Sequence, residues 1–164
     1  MTKQRRTVLA AIAAPTAYLL QKFPDEFYEI IIAGAERVTK DKRARRALFS
    51  MAAAVADRAC PENLPQALCY LADYEPAPER LKYLARAYAL ARGKRNDNFA
   101  LVCASYGDAL FKARQYVQAC EVLCAGLDFD ERRHESEMIH AGRDELALEA
   151  ARLAGRDPAP IREQ

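Results

Sequence analysis

The chain has 164 residues, half of them hydrophobic, and is long enough for one substantial core. Only six glycines, no tryptophan and an abundance of Ala, Leu, Arg and Glu argue against a fibrous or disordered chain and favour helices. The formal net charge of +2 supplies no global field that would commit the protein to nucleic acid or to a membrane.

The chain opens with MTKQRRTVLAAIAAPTAYLL. A basic start followed by an apolar run has the look of a secretory signal. Pro15 interrupts the run, which is too short to span a bilayer. A structural first helix is expected, with Val8, Leu9, Ile12 and Ala13 as its stripe. A targeting or membrane-associating segment is the alternative. After Pro15 a new turn leads through Tyr18, Leu19, Leu20 and Phe23.

Asp25, after Pro24, is the expected N-cap of the second helix, which buries Phe27, Ile30, Ile31, Ala35 and Val38. Asp41 is the expected N-cap of the third, with Ala44, Leu48, Met51 and Val55 on one side. Cys60-Pro61 ends it. Asn63 opens a short helix to about Tyr74, and Glu75–Pro78 turns the chain. The next helix covers about Pro78 to Arg92, with Gly93 as its stop. Asn96 or Asp97 then caps a helix from about Asn98 to Ala113. A tight turn at Arg114 leads to a helix over Tyr116–Leu127. The last helix covers about Arg132–Leu153 and ends at Gly155, because the DPAP tail cannot continue it.

Strand signals are missing, so the expected fold is all-α: an antiparallel helix-hairpin array of seven to eight helices. Residues 1–155 make a single domain, comprising N-terminal helices over 1–62, paired units over 63–130 and a C-terminal capping helix over 131–155. Residues 156–164 are a tail.

The pattern in Tyr106-Gly107, Leu110, Tyr116, Ala119, Leu123 and Gly126-Leu127 resembles a tetratricopeptide repeat, whose period is about 34 residues. In that family a large residue followed by a small one lets the two helices of a unit approach. A small residue early in the second helix seats the first, and a small residue plus Leu docks the next unit. Tyr106-Gly107, Ala119 and Gly126-Leu127 match those roles. Tyr83–Asp97 looks like the extended second helix of a longer variant, its Ala87-Tyr88 standing 39 residues before Gly126-Leu127. The helix before it, Leu64–Tyr74, lacks the large-then-Gly pair. Arg114 stands where the family has Gly, and Glu131 where it has Pro. An unrelated helical bundle is the alternative, because any antiparallel helix pair needs small residues at its crossing.

The resemblance implies a superhelix that binds other polypeptides. It puts partner-binding positions at Leu101, Ala104, Asp108, Phe111 and Lys112, with Tyr88 in the neighbouring unit. Ala104 and Asp108 replace the basic residue and Asn of a carboxylate clamp, so an apolar or helical partner segment is expected instead. The same Leu101 and Phe111 also fit a plain core role.

The densest charge is the cluster Arg37, Lys40, Lys42, Arg43, Arg45 and Arg46. Lys42–Arg46 fall in the first turn of the third helix, where the macrodipole disfavours cations. Together with free backbone N–H groups they could hold phosphate, RNA or an acidic protein segment. A solvated face beside Glu36 and Asp41 accounts for the same residues. The positive surplus is N-terminal: residues 1–63 carry 11 Lys/Arg against 7 Asp/Glu.

Glu137 and His140 have the Glu-x-x-His spacing of carboxylate-bridged di-iron bundles, but His134 is the only other histidine, so the required second motif cannot exist. Cys60, Cys69, Cys103, Cys120 and Cys124 are odd in number and form no CxxC pair. Reduced, buried thiols in the cytoplasm, or alternatively an organelle matrix, fit this pattern. Cys120 and Cys124 stand one turn apart and can approach Cys103. With Cys69 they would offer zinc ligands, though a role as small apolar side chains fits better. With no Gly-rich phosphate loop and no nucleophile–base pair, no cofactor, metal or enzymatic activity is expected. The expected function is a protein-binding scaffold or chaperone-type binder, with a structural subunit of an RNA-containing assembly as the alternative.

Overall fold

The computed structural model describes residues 16–38, 40–94, 98–133 and 143–156. Among them every regular element is an α-helix. They run in chain order as α1 (16–22), α2 (Pro24–Arg37), α3 (Lys42–Ala59), α4 (Leu64–Ala72), α5 (Ala77–Lys94), α6 (Phe99–Lys112), α7 (Tyr116–Arg133) and α8 (Arg143–Leu153). From α2 onward each helix packs on the next. In addition α4 reaches α6, and α6 reaches α8, across the helix between them. The result is an antiparallel hairpin array, as expected. Most of its buried hydrophobic residues form one cluster extending from Tyr28 to Ala151, and Leu123, Leu127 and Ala147 form a second, smaller one.

Local chemistry explains most of the boundaries. The Asp41 carboxylate accepts from the backbone N–H groups of Arg43 (2.9 Å) and Ala44 (3.0 Å), capping α3 as expected. The same cap on α2 does not form. Pro24 occupies the first helical turn, where its fixed φ suits the helix and its missing N–H costs nothing, so Phe23 takes the cap position. Asp25 lies one residue inside and instead accepts from the Asn63 amide at 3.0 Å.

Three other boundaries differ from expectation. α5 runs through Gly93 to Lys94, so Gly93 is not a stop. α7 continues past Leu127 to Arg133, and α8 starts at Arg143 rather than Arg132. The buried stripe of α3 is also rotated: Phe49, Ala52, Ala53, Val55 and Ala56 face the core, while Met51 is 43% exposed. On α2 the solvent-facing residue is Ile30, with Tyr28, Ile31, Ile32 and Ala35 buried. The stripe at Val8–Ala13 and the caps at Asn96 and Asp97 lie outside the described residues.

Two helices end in the same motif. After α6, the Gln115 N–H reaches the Leu110 carbonyl and the Arg114 N–H reaches that of Phe111, both at 2.9 Å. After α8, Arg156 pairs with Ala151 (2.9 Å) and Gly155 with Arg152 (3.2 Å). This motif places one residue in the left-handed region. Gly155 does so at φ 69° without penalty, whereas Arg114 does so at φ 62° with a Cβ. The variant Arg114→Gly is therefore expected to gain about 0.5–1 kcal/mol, after allowing for the freer unfolded chain. Thermal unfolding should show a midpoint about 2–3 °C higher. An unchanged or lower midpoint would show that no strain resides there.

Candidate functional site

The α6–α7 hairpin sets the geometry. At Gly107 an added Cβ would lie 2.5 Å from Leu123 Cγ, and at Gly126 it would lie 2.6 Å from Cys103 Cβ. Neither position has room for a side chain, so the two helices approach to the distance that only glycine allows. Ala119, fully buried, sits on the same packed face.

The close approach within this hairpin leaves a cleft between α5 and α7, over α6. The cleft has a volume of about 460 Å³ and is lined by Tyr88, Arg92, Phe99, Tyr106, Leu110, Gln118, Glu121, Val122 and Ala125. Each helix contributes one stripe: Tyr88 and Arg92 from α5; Phe99, Tyr106 and Leu110 from α6; Gln118, Glu121, Val122 and Ala125 from α7. The Tyr88 ring stacks on Phe99 at 6.1 Å and tilts against Tyr106 at 5.7 Å. Burial pushes the Tyr88 phenol above its ordinary pKa, so it stays a neutral hydrogen-bond donor. Glu121, on the cleft wall, accepts from the Arg156 guanidinium at 2.7 Å. An apolar floor below two phenols, an amide, a cation and an anion suits a bulky side chain with a polar end.

The expected partner-binding residues fall on two faces. Tyr88 lines the cleft; Leu101, Asp108, Phe111 and Lys112 do not. The reason is register. Leu101, Asp108 and Lys112 repeat the spacing of Phe99, Tyr106 and Leu110 but are displaced by two residues, a rotation of about 200° around α6. On that second face Asp108 accepts from Lys112 Nζ at 2.7 Å and lies 3.8 Å from the Arg80 guanidinium of α5. Phe111 is half-buried against the core and meets Tyr116 edge-on at 5.4 Å. Leu101 and Ala104 are half-buried on the same face. Tyr106, expected only as a packing residue, is in fact a wall of the cleft. The signal for it was the shared i, i+7 register with Phe99.

The basic cluster lies at the end of α2 and the start of α3. Arg37, Lys40, Lys42, Arg43 and Arg46 are exposed, and Arg45 is half-buried with its guanidinium 6.0 Å from the Phe49 ring centre. Lys42, Arg43 and Arg46 face a shallow hollow of about 640 Å³ that also contains Asp73 and Glu75. Arg46 Nη2 pairs with Glu75 at 2.6 Å, and Asp41 already occupies the first N–H groups of α3. The hollow therefore carries both signs of charge.

None of the five cysteines is in a disulfide. Burial pushes Cys69 up to about 12 and raises Cys60 as well. Among the described residues no three His, Cys, Asp or Glu side chains group in a way that could hold a metal ion. Glu137, His134 and His140 lie outside those residues. Among the described residues no helix is long and apolar enough to cross a membrane. No known protein family, curated protein or solved structure matches the chain.

Proposed function

We propose that this protein is a non-catalytic scaffold or chaperone-type binder of the tetratricopeptide-like kind, which holds a segment of a partner protein. The observation that carries this reading is the aromatic-lined cleft between α5 and α7, created where Gly107 and Gly126 draw one hairpin tight. One bulky side chain of a partner, anchored between Tyr88 and Tyr106, would supply the central contact, as buried aromatic anchors do at protein interfaces. Arg92 and Gln118 would orient the partner's polar groups. The free thiols suit a reducing compartment, the cytoplasm or an organelle matrix.

The test is a quantitative pull-down from the native host, run at low and high salt with three proteins. Wild type should retain one dominant protein at high salt. Tyr106→Ala should lose about 10-fold or more of it, the effect of removing an interface anchor. Lys112→Glu, on the opposite face of α6, should retain it. Equal capture by wild type and Tyr106→Ala would sink the cleft assignment. Recovery of RNA instead, lost at high salt, would move the function to Lys42, Arg43 and their neighbours.

A further inference from the structure

We propose that Cys120 and Cys124 form a binding site for a soft metal ion of low coordination number, specifically Cu(I). The two residues stand one turn apart on α7, and their sulfurs are 4.0 Å from each other. With thiolate–metal bonds of about 2.3 Å, that gap corresponds to a sulfur–metal–sulfur angle of about 120°. A trigonal ion fits at this angle, its third position taken by a small thiol from solution.

The chemistry of the pair selects among ions. Zinc requires a tetrahedral set, and among the described residues no third His, Cys, Asp or Glu completes one. Thiolates favour soft ions such as Cu(I), which is stable with two or three ligands. On binding, each thiol gives its proton to solvent, so one Cu(I), the two protein thiols and one small thiol yield a tris-thiolate of charge −2 and three protons. A cation stands ready for that charge. Arg156 is held by Glu121, the residue next to Cys120, at 2.7 Å.

Access runs through one member of the pair, since Cys120 is itself buried. Cys124 is half-exposed, giving the ion a way in, whereas Cys60 and Cys69 are buried and kept protonated. A disulfide is the competing fate. It needs Cβ atoms about 3.5–4.5 Å apart, while residues one helical turn apart hold them at about 5–6 Å. Bridging by a metal needs no such distortion of α7.

The experiment is anaerobic competition for Cu(I) against the coloured bicinchoninate complex. Wild type should withdraw one equivalent, as should Cys60→Ala and Cys69→Ala. Cys120→Ala and Cys124→Ala should each weaken binding by about 100-fold or more, beyond what loss of a group merely neighbouring a ligand costs. Wild-type affinity in either variant would overturn the proposal, as would equal loss in Cys60→Ala. X-ray absorption of the loaded wild type gives a check that no variant's folding can confuse. Sulfur neighbours alone, at about 2.2–2.3 Å, are expected. Nitrogen or oxygen neighbours would exclude the site.

Discussion

Gly126→Ala is expected to destabilise the protein by about 2 kcal/mol, lowering its thermal midpoint by roughly 4–8 °C. The new methyl would sit 2.6 Å from Cys103 Cβ, where van der Waals contact needs roughly 3.5–4.0 Å. That Cβ is fixed to the α6 backbone, so no rotamer change moves it. The helices must separate or shear, disturbing the packing of Leu123 and Leu127, both buried. Alanine's better helix propensity returns about 1 kcal/mol, which is why the net loss is not larger. Gly107→Ala makes a useful contrast, because its obstacle is the rotatable end of Leu123 and part of the clash can relax. The decisive measurement is a double-mutant cycle. Cys103→Gly removes the opposing Cβ and should recover at least about 1 kcal/mol of the Gly126→Ala loss, whereas Cys103→Ala keeps that atom and should recover none. Equal behaviour of the two would show that the hairpin's closeness is not set at this contact.

The close crossing at Gly107 is legible in the sequence because it depends on one local fact: a helix crossing too close for a Cβ needs glycine. Gly126, expected with Leu127 to dock the next unit, instead meets Cys103 within the same hairpin. The Asp41 cap and the Gly155 stop were legible for the same kind of reason. A carboxylate at an N-cap and a residue in the left-handed region are decided within a few residues. Asp25 misleads because two local signals compete, and Pro24 at the first helical position prevails over the carboxylate beside it. Gly93 misleads in the opposite way. Glycine permits a left-handed stop but does not impose one, and α5 continues through it. The extension of α7 past Leu127 had no apolar stripe to announce it. Met51 shows the limit of periodicity: the sequence gives a helix several apolar stripes, and only its neighbours decide which is buried. The cleft was beyond reach for the same reason. It is made from one stripe on each of three helices, and their mutual rotation is a tertiary quantity. Tyr88, read from its repeat position, lies on the cleft, while Leu101, Asp108 and Lys112 lie on the opposite face of α6.

Phe99→Ala is the second large effect, expected to cost about 3–5 kcal/mol, a substantial share of the stability of an ordinary domain. Phe99 begins α6, is 1% exposed, and lies beneath Tyr88 as the floor of the cleft. Truncation removes both the buried ring and its aromatic contact, which is worth about 0.5–1.5 kcal/mol beyond burial. The cleft opens to solvent, so water can enter the space left by the ring and the loss should fall near the lower end of the range. Phe99→Leu keeps most of the volume and should cost less than about 1.5 kcal/mol. Chemical denaturation of the two variants checks the ordering, with an unchanged slope showing that the unfolded state is unaffected. Equal losses would mean that an apolar side chain of similar volume cannot replace the ring, so that the stack with Tyr88 rather than burial carries the contribution. The difference bears on function as well. A floor that tolerates leucine while Tyr106→Ala abolishes partner capture would separate the cleft's support from its recognising wall. Loss of capture in Phe99→Leu at near-native stability would instead make the ring itself part of the contact surface.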